Sequence, residues 1–237
     1  MAVTTTETHD HDDHGHGESS APGAENPGGH HESAFARDQK ERLMLWLFIG
    51  GDLVFLLLEV FAWFYLRTLN THGLWNAAAC TTAKPCTDGL GNPITAPVAR
   101  ASIVHPLIIA GLVIVSALLV WAAERAAAQG KERGAIAAPA GLALVCMLGA
   151  IGLQIYQFQI LPFTTIDGSY ASVYEYFMGS TLAHLILMAF ILIGLWNRAR
   201  KGRYAGKTWY RIRLIRFFAV WIAVSTAVLV IVASFFA

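Results

Sequence analysis

Charge is what this sequence lacks. Asp, Glu, Lys and Arg make up 14% of its 237 residues, while 55% are hydrophobic. A water-soluble domain of this size carries about a quarter charged residues, so the deficit excludes an ordinary soluble fold. Cysteine is equally scarce. Three residues are too few for a disulfide scaffold or a multi-cysteine zinc site. The net charge of +1 does not point to nucleic acid, because the bases sit in short segments between apolar runs. Those runs hold no nucleophile elbow, phosphate-cradling loop or thiol pair. The His-x-x-x-His and Glu-x-x-His spacings of membrane metal sites are also missing.

What the chain does have is length of apolar run. A bilayer core needs about 20 apolar residues as helix. Stretches at about 43–66, 102–123, 135–158, 173–196 and 214–236 meet that need. They are continuous rather than alternating, which excludes a closed barrel. The expected fold is therefore all-α, an integral membrane bundle of five transmembrane helices within residues 37–237. Trp46, Trp63, Tyr65, Trp121 and Trp196 lie near the span ends, where an amphipathic ring suits the headgroup layer.

Residues 1–36 differ from the rest. They are polar, rich in Gly and Ser, and hold six of the nine histidines: His9, His11, His14, His16, His30 and His31. With no apolar core to a signal sequence, the segment does not read as a cleavable leader. It cannot bury enough surface to offset ordering entropy, so a disordered tail is expected. Its His and Asp residues suit either transition-metal capture or simple solvation.

Orientation follows from the bases in the short loops. Arg37, Lys40 and Arg42 precede the first span, and Arg125, Lys131 and Arg133 follow the second. Arg198, Arg200, Lys201, Arg203, Lys207, Arg211, Arg213 and Arg216 follow the fourth. The stretch 159–172 has none. The positive-inside rule then places the N-terminus in the cytoplasm and the C-terminus outside. Cys80 and Cys86 fall in the outer loop 68–101, where they either form a local disulfide or remain free thiols. Cys146 lies inside the third span as a small packing residue.

Polar groups inside the spans are the candidate functional residues. A carboxylate near mid-membrane costs about 2.5–3.5 kcal/mol on insertion scales and normally faces protein or a water-filled cavity. Asp52 and Glu59, seven residues apart, lie on one stripe of the first span, roughly 10 Å apart along its axis. They suit proton handling or an interface with another helix or subunit, or else a structural role. Gln154 and Gln157 share a face at the end of the third span. The fourth carries Glu175, Thr181 and His184. Gly179, Ser180 and Ala183 permit close helix approach there. His184 has no second deep histidine to share a haem or a copper. It reads as a hydrogen-bonded packing residue, and no metal is expected on this chain.

The segment QIYQFQILPFTTIDGSYASVYEYFMGSTLAH, Gln154 to His184, resembles subunit III of the haem–copper oxidases. That family has Gln-x-x-Glu-aromatic at a helix end, a Phe-Thr-x-x-Asp-Gly-x-Tyr-Gly-Ser loop and a His-Gly-x-His helix. Gln154, Phe158, Phe163, Thr164, Asp167, Gly168, Tyr170 and Ser172 fall in register, and His184 falls on the second histidine. The opening span, LWLFIGGDLVFLLLEVFAWFYL, is similar to the family's Leu-Trp-Leu-Phe-x-x-Ser-Glu-x-x-x-Phe, with Asp52 at the acid. Five spans with the N-terminus inside also resemble the short five-helix form of bacterial cytochrome c and quinol oxidases. The departures are Gln157 for Glu, Thr181 for the first histidine, Glu175 at an apolar position and a last span without Trp-His-Phe-x-Asp.

The resemblance implies an accessory subunit in a bacterial plasma membrane. It would bind no redox metal, pack beside catalytic subunit I (and II), which holds the haem and copper, and carry structural phospholipid. Asp52 would be the intramembrane acid near proton entry, and His184 and Gln154 would belong to contacts between helices. Two alternatives remain. One is a subunit III-like partner of a nitric oxide reductase. The other is a stand-alone proton channel or transporter using Asp52 and Glu59, although the spans show no inverted repeat.

Overall fold

The computed structural model describes residues 34–69, 100–204 and 209–236, together with Trp75, Thr87 and Gly91. Cys80, Cys86 and residues 1–33 lie outside the described residues. Five long helices are present: α1 (Ala34–Leu69), α2 (Val104–Ala128), α3 (Arg133–Gln159), α4 (Ser169–Arg200) and α5 (Tyr210–Phe235). Each is long and apolar enough to cross a membrane, so the chain is an all-α, multi-pass membrane protein.

Each apolar run falls on one helix, the second starting two residues before α2 and the fifth ending one residue after α5, but most helices outlast their runs. α4, for example, continues through Arg198 to Arg200, and α2 through Glu124 and Arg125 to Ala128. Arg, Glu and Ala are strong helix formers, so hydropathy marks the hydrocarbon crossing and not the helix end. The end is set by glycine. Gly130 and Gly202 have φ of 65° and 67°. Gly130 N–H bonds Ala127 O while Lys131 N–H bonds Ala126 O, and Gly202 and Arg203 repeat the pattern on Ala199 and Arg198. This doubled hydrogen bonding closes both helices.

The bundle proper is α2 to α5. α2 packs along α3 and α5, and α3 along α4. Val113, Val120, Met147, Leu185, Met188, Leu192 and Ile222 fill its core. Ala140, Ala143 and Ala150 on α3 are fully buried, and small side chains of this kind bring membrane helices into close contact. Ser116 of α2 adds a hydrogen bond to Ala143 O at 3.0 Å. α1 rests against α4 and α5 and is peripheral: 11% of its spanning stretch is buried, against 56% for α5.

The two ends of the bundle differ. At one end Trp63 meets Trp75, Tyr170 and Phe177 at ring distances of 4.8, 5.7 and 5.1 Å. Its indole N–H donates to Phe236 O. At the other end Glu124 of α2 is ion-paired to Arg213 and Arg216 of α5, each at 2.9 Å. Glu41 of α1 pairs with Arg211 at 3.1 Å and accepts from Tyr210.

Candidate functional site

Asp52 and His184 meet. His184 Nε2 lies 2.7 Å from Asp52 Oδ1, with both side chains largely buried. The indole of Trp221 donates to Asp52 Oδ2 at 2.5 Å. One carboxyl on α1 is thereby held by α4 and α5 together. Its shelter comes from helices of its own chain, so no second polypeptide is needed to keep this acid out of lipid.

The proton count at this site follows from its partners. His184 Nδ1 faces Ser180 O at 2.8 Å. A carbonyl can only accept, so Nδ1 carries a hydrogen. One further proton then lies on the line between Nε2 and Oδ1. With that proton on nitrogen the pair is imidazolium and carboxylate; with it on oxygen, both groups are neutral. Either arrangement has no net charge, which is the state a membrane interior tolerates. Removing the proton leaves a net negative charge and adding one leaves a net positive charge. Exchange at the pair therefore needs a compensating group close by.

Glu59 is that group's best candidate. It is 3% exposed and within electrostatic range of His184 and Asp52, with Ser180 beside it. Glu59 Oε1 and Ser180 Oγ are buried without a well-formed hydrogen bond. Asp52, His184, Ser180 and Glu59 thus form a polar strip between α1 and α4, inside otherwise apolar surroundings.

The other expected polar residues form a separate group on an adjoining face of α4. Gln157 Nε2 donates to the Tyr174 hydroxyl at 2.8 Å. Gln154 and Thr181 are buried near them around a small cavity. Thr181 and His184, three residues apart, therefore serve different neighbours. Glu175 is half-buried on α4 and belongs to neither group. Cys146 is a free thiol on α3. Among the described residues no three His, Cys, Asp or Glu side chains gather as a metal site.

The loop between α3 and α4 has a structural role. Thr164 N–H and Oγ1 both bond Asp167 Oδ2, at 2.6 and 3.0 Å. Asp167 N–H returns a bond to Thr164 O at 2.9 Å. Ser172 Oγ donates to Thr165 O at 2.6 Å. This reciprocal capping fixes the turn that launches α4, and with it the positions of Ser180 and His184.

Two residues escaped sequence reading. Trp221 sits mid-helix rather than at a headgroup boundary. An indole N–H there needs a buried acceptor, and that requirement was a usable signal. Glu124 lies one residue beyond the second apolar run and drew no notice, although an acid followed by Arg125 at a helix end has bases within reach.

Neither a protein-family model nor a curated protein matches this chain.

Proposed function

We propose that this chain is an accessory subunit of a haem–copper terminal oxidase, resembling subunit III and binding no redox metal itself. One observation carries the reading. The acid of the first-span motif and the histidine of the fourth-span motif are 132 residues apart, yet bonded at 2.7 Å. The two stretches that carry the resemblance converge on one site. In this reading the complex reduces oxygen and moves protons in a bacterial plasma membrane. Haem and copper sit in subunit I (and II), and the N-terminus of the present chain is cytoplasmic. The Asp52–His184–Glu59 strip supports proton uptake, and phospholipid covers part of the outer surface. The apolar side chains of Leu47, Leu57, Leu58 and Phe61 on α1 are exposed and suit a catalytic neighbour.

The test is purification in mild detergent from the native membrane. A co-migrating partner with a haem spectrum is expected, and Asp52→Asn should slow proton-coupled turnover or shorten its lifetime while leaving the complex assembled. A chain that purifies alone and conducts protons in liposomes would sink the proposal in favour of a channel. A partner that reduces nitric oxide and not oxygen would move the subunit to that enzyme.

A further inference from the structure

We propose that a bound water occupies the small cavity between α2, α3, α4 and α5 and completes the hydrogen bonding of Gln157 and Tyr174. The cavity has about 30 Å³ open to the centre of a water-sized sphere. One water needs about 10–15 Å³ by that measure, so there is room for one or two. Gln154, Gln157, Tyr174, Met178 and Thr181 line it, all buried. A dry cavity of this size is expected only where the walls are wholly apolar, and these are not.

One buried amide calls for the water. Gln157 is 3% exposed, and its Oε1 has no partner. Its Nε2 donates to the Tyr174 oxygen, which leaves the phenolic hydrogen free to donate. A water in the cavity accepts that hydrogen and donates to Oε1. Its second hydrogen goes to the hydroxyl of Thr181 or the amide of Gln154. Reversing the amide does not remove the need. Tyr174 would then donate to Oε1, and the two hydrogens of Nε2 would lack an acceptor. Either assignment leaves one end of a buried amide unmade; one water meets Oε1 in the first and one of the two N–H groups in the second. The site uses none of the residues of the Asp52–His184 pair and does not depend on the oxidase reading.

Radiolytic hydroxyl-radical labelling of the full-length protein tests this, because radicals formed from a bound water modify the buried side chains around it. Met178 lines the cavity, whereas Met188 and Met147 are buried in the close-packed core. Labelling in H2(18O) should oxidise Met178 several-fold faster than Met188 or Met147, with 18O in the product. Gln157→Leu, which removes both ends of the amide, should bring Met178 down to the rate of Met188. Equal rates at the three methionines in the wild-type protein would show a dry cavity and overturn the proposal. So would a fast Met178 rate that Gln157→Leu leaves unchanged, since the water would then not be held by the amide. If Gln157→Leu does not fold, the wild-type comparison still decides.

Discussion

Asp52 can be changed in two ways that the site should tell apart. Asp52→Asn keeps the shape. The amide oxygen still accepts from Trp221, and the amide nitrogen donates to Nε2 of a neutral His184, whose Nδ1–H remains on Ser180 O. Both hydrogen bonds survive without charge assistance. Charged bonds contribute about 1.5–3 kcal/mol and neutral ones about 0.5–1.5, so each bond loses about 1 kcal/mol and the two together about 2 kcal/mol. Asp52→Leu leaves the Trp221 N–H and His184 Nε2 unpaired. Each buried orphan costs about 1–3 kcal/mol. Trp221 is only half-buried, which places the sum near 2–4 kcal/mol. Adding His184→Leu removes the second orphan and should recover part of that loss, because replacing both partners by apolar groups is close to neutral. The measurement is unfolding of the purified protein in mixed detergent micelles, followed by tryptophan emission. The expected order of stability is wild type, Asn, the double leucine variant, then the single leucine variant. If the single leucine variant proved as stable as the asparagine one, the bonds to Trp221 and His184 would not be holding this site together.

Four further outcomes are expected from the same unfolding assay or its thermal equivalent. Glu124→Gln should cost about 1–3 kcal/mol, since Glu124 is buried between two guanidinium groups. Glu41→Gln should cost under about 1 kcal/mol, because that pair is about a third exposed on both sides; equal losses would contradict the role given to burial. Gly141→Ala should cost about 1–3 kcal/mol, because a Cβ there would stand 2.9 Å from Trp196 Nε1; an unchanged midpoint would mean that α3 and α4 can part freely. Deleting residues 1–30 should leave the midpoint unchanged, and a large drop would show that the tail is part of the folded unit.

The five crossings were legible because hydropathy is a local property that each segment carries on its own. So were the acids and the histidine, since polar groups stand out against such a background. Their pairing was not legible. Asp52 and His184 belong to the first and fourth spans, and nothing within either helix names the other. His184 was read as having no metal-sharing partner because a second histidine was sought. Its partner is a carboxyl, on a helix whose rotation about its axis only the packed bundle fixes. The same holds for Gln154, Gln157 and Thr181, where spacing along each helix was clear but the shared cavity arises between helices. Within the loop from Phe163 to Ser172 the motif was visible while its purpose was not. Its Thr, Asp and Ser residues cap one another, and they act on the site only by starting α4 in the right place.

The weak packing of α1 gives the polar strip a second consequence. Lipid tails are as apolar as leucine, so no hydrophobic force presses one spanning helix onto another. A helix with so few buried residues must be held by specific contacts. Along α1 these are Glu41 with Arg211 and Tyr210 at one end, Asp52 with His184 and Trp221 in the middle, and Trp63 with Phe177 and Phe236 O at the other. The central clasp is also where an acid and a histidine of different helices meet. Under the proposed role its chemistry and its mechanics are coupled, because the side chains that would handle the proton are also those that attach α1. Variants that remove the carboxyl shape change both strongly, whereas the asparagine variant retains both hydrogen bonds and weakens the attachment only by the lost charge assistance.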